Sequence, residues 1–248
     1  MRLALLSDIH GNLPALEAVL ADMDAQGPFD AIGIAGDLCE WGPQPRAVLE
    51  RVRALACPVV QGNTDRNVTL DKEALRALGK SENAIAGLAW TRAQIGAEGV
   101  SYLAALPFAW TFAGPQGQDV LMVHANPRDQ DTHLPPDAPA EEVAALLAGT
   151  TSAVVAFGHL HIPYVRYVAG HLLVDVASVG FPRDGDTRAA YAMLAWDNGW
   201  QASIRRVPYD LDKTAAAFRA SGIPGSARRI EALFRATYSK KDGASTRV

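Results

Sequence analysis

The sequence predicts an α/β fold, and two patterns indicate it. Over residues 1–61, short apolar runs of strand length alternate with segments whose apolar residues recur at helical spacing. Because crossover connections of this kind are right-handed, they place parallel strands in a sheet with the helices outside it. In the second half, β-runs follow one another through turn residues such as Asp197-Asn198-Gly199, which are typical of hairpins.

Local signals mark each element in order. The run 3–6 is bounded by turn formers and predicts a buried strand, after which Asn12 can cap a helix over 13–26. Pro43, a favoured first-turn residue, opens a helix over 43–55. The same patterns predict further strands at 30–35, 58–61, 108–113, 119–123, 153–157, 164–168, 171–176, 189–196 and 200–207, and helices at 140–148, 211–221 and 225–238.

The domain organisation is predicted to be one domain over 1–238. Residues 66–106 change to helical spacing, which suggests three helices around 70–78, 85–95 and 100–106. They form a small helical insert, which is a candidate lid or rim of a site, a face for a homo-oligomer, or padding on the sheet. The loop 125–139 is rich in Pro and Asp, and ordered loops of this length usually have a function. The polar tail 239–248 is predicted to be disordered.

Polar residues stand at the ends of five of the apolar runs. If the runs are neighbouring strands of one sheet, seven side chains converge on one edge. Imidazole, carboxylate and amide oxygen ligands suit first-row divalent ions. Seven ligands exceed what one open catalytic ion binds, so two ions that share a carboxylate are the economical interpretation. The candidate metal ligands are Asp8, His10, Asp37, Asn63, His124, His159 and His161.

These residues stand in five ordered blocks, and the set resembles the calcineurin-like metallophosphoesterases. That family carries D-x-H, G-D, G-N-[HC]-[DE], a strand-end His and G-H-x-H. Three longer segments, GDLCEWGPQP, VHANPRD and ASVGFPRDGDTRAAYAML, resemble its small bacterial and archaeal phosphodiesterase branch. The corresponding blocks here are Asp8-Ile9-His10, Gly36-Asp37, Gly62-Asn63-Thr64-Asp65, Val123-His124 and Gly158-His159-Leu160-His161.

The resemblance implies the overall architecture and the chemistry. It implies a four-layer αββα sandwich of two mixed sheets clad by helices. It also implies a metal-dependent phosphoric ester hydrolase, in which hydroxide that bridges two ions attacks phosphorus. Manganese is favoured as the metal, with iron, nickel or zinc as alternatives. The implied ligands of one ion are Asp8, His10, Asp37 and His161, and those of the other are Asp37, Asn63, His124 and His159, with Asp37, Asn63 and His124 as the catalytic residues.

One departure from the family bears on the substrate. Many relatives carry His after the Asn, where it can protonate the leaving oxygen, whereas this chain has Thr64. Without that acid, substrates with good leaving groups are favoured, and small phosphodiesters such as cyclic nucleotides are expected. The alternatives are a phosphomonoesterase or dinucleotide polyphosphate hydrolase, or a non-catalytic metal-binding scaffold, which the complete ligand set disfavours.

Several residues outside the ligand set have two interpretations. Arg183 and Arg128 are candidate phosphate clamps, or each pairs with the aspartate that follows it. His133 can meet substrate or stay solvated, and Trp41 can stack on a base or pack in the core. Asp65 and Arg66 are candidate supports for the Asn63 turn. In 175–178, Asp-Val-Ala-Ser replaces the usual Asn-Pro-Gly-Ser of relatives, which affects the loop that follows.

Composition restricts the partners. The net charge of −4, without clusters of Lys and Arg, argues against binding to long nucleic acid and against a nuclease. No uncharged apolar run reaches the length of a membrane span, and Met1-Arg2 leads directly into a strand without a signal-peptide pattern. Two cysteines form no disulfide framework. The expected protein is cytoplasmic and acts on a small phosphorylated substrate.

Overall fold

Two β-sheets face each other in the computed structural model, which describes residues 1–237. The predicted disordered tail at 239–248 lies outside the described residues. One sheet has four strands in the order β2-β1-β8-β9, and the other has five in the order β3-β4-β5-β7-β6. The strands are β1 (Arg2–Leu6), β2 (Ala31–Ile34), β3 (Ala109–Phe112), β4 (Val120–Val123), β5 (Val154–Phe157), β6 (Tyr164–Val168), β7 (His171–Asp175), β8 (Ala189–Trp196) and β9 (Trp200–Val207).

Helices cover the outer faces of both sheets. Asn12 caps the first helix as predicted, because its side chain accepts a hydrogen bond from the backbone N–H of Ala15. The second helix begins at Pro45 rather than at Pro43. The helices are α1 (Leu13–Ala25), α2 (Pro45–Ala54), α3 (Asn63–Thr69), α4 (Lys72–Ala77), α5 (Glu82–Ala104), α6 (Ala140–Leu147), α7 (Leu211–Ser221) and α8 (Ser226–Arg235).

Both sheets are mixed. In the first, β1 pairs in parallel with β2 and antiparallel with β8, and β8 and β9 form the predicted hairpin. In the second, β4, β5 and β7 are parallel, while the two edge strands, β3 and β6, run antiparallel to their neighbours. The parallel pairs require crossover connections, whereas each of these two edge strands forms an antiparallel hairpin with the strand that follows it in the chain.

The alternation of side chains along β1 divides the core into layers. Leu3 and Leu5 face the second sheet and pack with residues such as Met122, whereas Ala4 and Leu6 belong to the cluster under the helices. A third cluster lies beneath α6 on the outer face of the five-stranded sheet. The molecule is therefore a four-layer αββα sandwich, as expected.

The assumption that the five polar-ended runs share one sheet is wrong. The runs that form β1 and β2 belong to the four-stranded sheet, and those that form β4 and β5 belong to the five-stranded sheet. The fifth run, 58–61, forms only a single bridge between Val59 and Ile34, because Gln61 turns away to bond the carbonyl of Pro107. The polar strand ends therefore converge from two facing sheets.

The predicted helical insert is formed by α3, α4 and α5. The expected second and third helices of this segment are one element, interrupted at Gly96, whose φ of 69° and ψ of −178° are accessible essentially to glycine alone. The expected first helix corresponds to α4, and α3 is an additional helix that begins at Asn63, so one candidate ligand lies on its first turn. Within residues 1–237, no helix has the length and apolarity needed to cross a membrane.

Candidate metal centre

The predicted ligands lie where the two sheets meet at one end of the sandwich. Each sheet supplies side chains from the loops that directly follow its parallel strands. One further side chain comes from the first residue of α3. The four-stranded sheet contributes Asp8, His10 and Asp37, α3 contributes Asn63, and the five-stranded sheet contributes His124, His159 and His161.

Four of these side chains form one half of the site. The Nε2 atom of His161 lies 3.1 Å from Asp8 Oδ1 and 3.2 Å from His10 Nε2. The Nε2 atom of His10 lies 3.6 Å from both Asp8 Oδ1 and Asp37 Oδ2. All four residues are at least 95% buried, so the donor atoms face one another and not solvent.

The other half of the site is built around His124. Its Nε2 atom lies 3.5 Å from Asp37 Oδ1 and 3.2 Å from Asn63 Oδ1, and its ring centroid is 5.0 Å from that of His159. Asp37 therefore contacts both halves. Among the described residues, two groups have ligand atoms that all lie within 4.8 Å of one another: Asp8 with His10 and His161, and Asp8 with Asp37 and His124.

Five of the seven residues have left-handed backbone conformations, which non-glycine residues rarely adopt. Such conformations cost about 1–3 kcal/mol each and persist only where the surroundings impose them. Here the backbone is fixed by hydrogen bonds between the loops, such as Asp8 N–H to the Gly36 carbonyl at 3.0 Å. The strained residues are Asp8, His10, Asp37, His159 and His161, with φ between 48° and 68°.

Backbone carbonyls orient three of the imidazoles. The Nδ1 atom of His10 donates to the Glu40 carbonyl at 2.9 Å, and that of His124 donates to the Ala35 carbonyl at 2.7 Å. The Nδ1 atom of His161 donates in the same way to the Phe181 carbonyl, at 2.5 Å. Since a carbonyl only accepts, Nδ1 carries the proton, and each Nε2 lone pair points into the site. This is the arrangement found in histidines that bind metal ions.

The arrangement of donor atoms in the site fits bound cations, because the donor atoms repel one another unless positive charge lies between them. The lone pairs of His10 Nε2 and His161 Nε2 face each other at 3.2 Å. Asp8 Oδ1 is buried beside them and has no hydrogen-bond partner among residues 1–237. A buried carboxylate oxygen without a partner carries a large desolvation cost, which a bound cation removes. The donor set of imidazole nitrogen and carboxylate oxygen suits first-row divalent ions.

The electrostatic environment of the site keeps the Asp8 carboxylate charged. Burial acts to raise the pKa of Asp8, but the neighbouring imidazoles of His161 and His10 outweigh it and lower the pKa well below its usual value. Burial alone would lower the pKa of His10, but the neighbouring carboxylates of Asp8 and Asp37 raise it to about 9. Protons and metal ions therefore compete for the same nitrogen atoms, and metal affinity falls as the pH is lowered.

His159 has a different orientation from the other three histidines. Its Nε2 atom donates to the Asp131 carbonyl at 3.0 Å, so the lone pair that remains is on Nδ1. Burial and the charge of His124 lower the pKa of His159 to about 3, which keeps the ring neutral. Asp131 is itself held by a bidentate ion pair with Arg66, with both N–O distances at 2.9 Å. Arg66 thus supports His159 through Asp131.

Asp65 fixes the loop that carries Asp37. Its carboxylate accepts the backbone N–H groups of Asp37, Leu38 and Gly62 at 2.8, 2.9 and 3.0 Å. Complete burial, followed by the negative charge of Asp37, raises the pKa of Asp65 to about 7. This agrees with the predicted supporting role, because Asp65 ties the loop after β2 to the first turn of α3.

The two candidate phosphate clamps occupy different places. Arg183 is 6% exposed and lies beside the metal centre, where its backbone N–H donates to the His161 carbonyl. Its guanidinium donates to the Thr237 carbonyl at 3.3 Å and lies 5.4 Å from the Trp41 ring centroid. The alternative pairing with Asp184 is not formed, since Asp184 pairs with Arg206.

Arg128 is exposed and turned away from the candidate ligands. Its guanidinium donates to the carbonyl of Ala148 at 2.5 Å, at the end of α6. Asp129 instead accepts hydrogen bonds from Thr132 and Asp131 within the loop. Neither proposed interpretation of Arg128 corresponds to these contacts, which fasten the long loop to the following helix.

Two residues at the rim complete the site. His133 is exposed, and its ring centroid lies 4.5 Å from that of His159, so the long loop brings it next to the ligands. Thr64, which stands where many relatives have His, donates its backbone N–H to Asp37 Oδ1 at 2.9 Å. Its hydroxyl is buried without a hydrogen-bond partner among the described residues.

Sequence reasoning missed Ser178, which fastens the loop after β7 to the Asp8 strand end. The Ser178 hydroxyl donates to the Asp8 carbonyl at 2.8 Å and accepts the Phe181 N–H. Ala177 adopts a φ of 62° where relatives have glycine. The departure in 175–178 was the available signal.

Asp175 provides a pH-dependent test of stability. It is fully buried, its Oδ2 atom has no hydrogen-bond partner in the described part of the chain, and burial raises its pKa well above the usual value. The stability that the protonated form contributes is complete below the unfolded-state pKa and is lost as the pH rises towards the folded-state pKa.

We therefore expect Asp175→Asn, which stays neutral, to raise the melting temperature at pH 8 and to change it little near pH 4. Each unit of pKa displacement corresponds to about 1.4 kcal/mol, so the gain at pH 8 increases with the displacement of the Asp175 pKa. Thermal unfolding of both proteins across this pH range measures it. Equal pH dependence in the two proteins would contradict the prediction.

Comparisons with known proteins agree with this geometry. A model of the calcineurin-like phosphoesterase superfamily domain matches residues 1–199. The protein MJ0912 of Methanocaldococcus jannaschii is 34% identical over 228 residues, which cover 85% of this chain and 89% of that protein. The crystal structure of a metallophosphoesterase from Sphaerobacter thermophilus is 30% identical, covers 96% of this chain and 99% of its own, and superposes with a TM-score of 0.75.

A shorter match is found with the phosphodiesterase YfcE of Escherichia coli. It is 40% identical over 78 residues, which cover 27% of this chain and 42% of YfcE. The domain model covers most of the chain, including all the ordered blocks that hold the candidate ligands, and MJ0912 aligns along most of its length. The chain belongs to the calcineurin-like phosphoesterase superfamily.

Proposed function

We propose that the protein is a metal-dependent phosphodiesterase that hydrolyses small phosphate diesters. The observation that carries the proposal is the convergence of buried imidazole lone pairs and carboxylate oxygens from two sheets on one small volume. The superfamily is one of metal-dependent phosphoesterases, and this donor set has the composition that its chemistry needs. Two divalent ions, when bound, supply hydroxide near neutral pH and stabilise charge on a phosphoryl group.

The side chains are assigned to two ions, manganese being favoured. Asp37, which contacts both His10 and His124, is the residue best placed to belong to both sets. His159 would bind through Nδ1, since its Nε2 atom donates to a backbone carbonyl. One ion is assigned to Asp8, His10, Asp37 and His161, and the other to Asp37, Asn63, His124 and His159.

Two features of the chain favour a diester. Thr64 stands where many relatives have a histidine, and its hydroxyl cannot serve as a proton donor of suitable pKa, so a good leaving group is favoured. The match with the phosphodiesterase YfcE points in the same direction over a short part of the chain. The substrate class we assign is therefore a small, activated or cyclic diester.

Arg183 is assigned to hold the substrate phosphate. It is nearly buried next to His161, and a planar guanidinium can donate two hydrogen bonds to phosphate oxygens. The Trp41 ring lies against the guanidinium and restricts its orientation.

Metal removal and reconstitution test the function directly. Protein treated with a chelator should not hydrolyse bis(p-nitrophenyl) phosphate, and Mn²⁺ should restore hydrolysis. p-Nitrophenyl phosphate, a monoester with the same leaving group, serves as the comparison. Failure of every divalent ion to restore diester hydrolysis would contradict the proposal, and so would a clear preference for the monoester.

We expect Arg183→Gln to raise KM for the diester and to lower kcat/KM by about 10- to 100-fold, the usual size of a charged hydrogen bond. The matched control is Arg128→Gln, because that arginine bonds Ala148 away from the ligands. Steady-state kinetics with metal-loaded protein measure both variants. If the two variants behave alike, Arg183 does not bind substrate.

A further inference from the structure

Trp41 has an unusual backbone conformation next to the metal centre. Its φ is 84°, and a left-handed conformation is an outlier for a residue with a bulky side chain. The loop is held there from outside, because the Arg229 guanidinium on α8 donates to the Trp41 carbonyl at 2.9 Å and lies 3.7 Å from the Glu40 carboxylate. Conformations of this kind persist where the surrounding structure imposes them, often at functional sites.

The indole ring contacts two residues of the proposed site. It stacks on the His10 imidazole, with centroids 5.2 Å apart and an interplanar angle of 18°. The Arg183 guanidinium carbon lies 5.4 Å from the same ring centroid. Phe181 packs against both rings edge-on, with centroids 6.2 Å from Trp41 and 6.0 Å from His10. One side chain therefore contacts a candidate metal ligand and the candidate phosphate clamp.

We propose that Trp41 is a positioning residue that fixes the plane of the His10 ring for metal binding and the orientation of Arg183 for the substrate phosphate. The half that concerns Arg183 rests on the proposed function, whereas the half that concerns His10 requires only that the site binds a divalent ion.

The argument for His10 is geometric. The hydrogen bond from Nδ1 to the Glu40 carbonyl holds one edge of the ring but does not by itself fix the tilt of the ring plane. A nearly parallel indole face removes this freedom, so that Nε2 stays directed at Asp8 and Asp37. Groups that orient a ligand from outside commonly change metal affinity 10- to 100-fold when they are lost.

The argument for Arg183 is electrostatic. A guanidinium is attracted to the face of an indole, and its planar arrangement of donors is useful only if its orientation is set in advance. The guanidinium also donates to the Thr237 carbonyl at 3.3 Å, so the indole face and this carbonyl together set its orientation. Loss of the indole should therefore weaken substrate binding more than turnover.

A test must separate positioning from packing, and Trp90 offers the matched control. Both tryptophans are partly buried and pack against the same apolar cluster, which contains Phe181 and Phe218. Within the described residues, no ring contact joins Trp90 to His10 or Arg183. Trp41→Leu and Trp90→Leu therefore remove the same side chain from the same cluster, and Trp41→Phe keeps an aromatic face.

The measurements are calorimetric titration with Mn²⁺ alone, steady-state kinetics with bis(p-nitrophenyl) phosphate, and thermal unfolding. We expect Trp41→Leu to weaken Mn²⁺ binding about 10-fold and to raise KM more than it lowers kcat, whereas Trp90→Leu changes neither value. Trp41→Phe should restore most of the affinity. If Trp41→Leu does not fold, Trp41→Met provides the same loss of aromaticity with more of the volume retained.

Two outcomes would overturn the proposal: equal Mn²⁺ affinities in the Trp41→Leu and Trp90→Leu proteins, or a Trp41→Phe protein that binds no better than Trp41→Leu. A wild-type protein that binds Mn²⁺ but hydrolyses no diester would refute the proposed function instead. In that case the titration with Mn²⁺ would still decide whether Trp41 positions His10.

Discussion

Asp37→Asn is expected to lower kcat/KM for the diester by about 1,000-fold or more while leaving the fold intact. The Asp37 carboxylate lies 3.6 Å from His10 Nε2 and 3.5 Å from His124 Nε2, so it contacts both halves of the site. Asparagine removes the negative charge but keeps an oxygen that can accept the Thr64 N–H. Loss of one preorganised electrostatic group typically costs 10²- to 10³-fold, and loss of a ligand common to two ions should cost more.

Kinetics, bound-metal analysis and thermal unfolding of the purified variant check this expectation. Asp71→Asn is the control, because Asp71 caps α4 from the surface and asparagine caps helices equally well. The control should retain full activity and metal content. Turnover within a factor of ten of wild type in Asp37→Asn would refute the assignment of Asp37 to both ions.

Gly42→Ala is expected to have the largest effect on stability. A Cβ atom at residue 42 would lie 1.8 Å from the His10 carbonyl oxygen and 2.5 Å from the Gly11 carbonyl carbon, which are backbone atoms that no rotamer change can move. The loop 37–42 would have to withdraw from the Asp8 strand end. The cost of forced overpacking is about 3 kcal/mol, or roughly 6–12 °C in melting temperature for a chain of this size.

Because the same loop carries Asp37 and the carbonyl that orients His10, Gly42→Ala should also weaken binding of Mn²⁺. Gly199→Ala is the matched control: a Cβ there meets nothing within 4 Å. Thermal unfolding and titration with Mn²⁺ compare the two variants. Similar melting temperatures for both would show that the loop accommodates a side chain at residue 42.

The strand ends could be predicted from the sequence because each has a local signal. An apolar run followed by Asp, Asn or His is visible at Asp8, Asp37 and His124 without knowledge of the fold. What the sequence did not indicate was that these runs divide between two sheets, since strand pairing depends on contacts between residues far apart in the chain. The left-handed backbone conformations of the ligands could not be predicted either, because no local sequence pattern marks an Asp or His that adopts this conformation.

The residues that support the ligands also differ in whether the sequence could predict their roles. Asp65 adjoins Asn63 in the chain, so its supporting role was predictable from the motif. Arg229 lies 188 residues from the Trp41 carbonyl that it bonds, and nothing near it in the sequence relates it to the site. Arg183 could be placed near the ligands by its position after a motif block, whereas its partner there, Trp41, is set by loop packing.

The division of the ligands between two facing sheets also has a mechanical consequence. Asp8, His10 and Asp37 follow strands of one sheet, and His124, His159 and His161 follow strands of the other. Any sliding of one sheet over the other would separate these groups. The ligands therefore come together only when the two sheets pack in one fixed relative position. Bound cations would in turn act as cross-links between the layers, so that their affinity and the rigidity of the whole molecule rise and fall together.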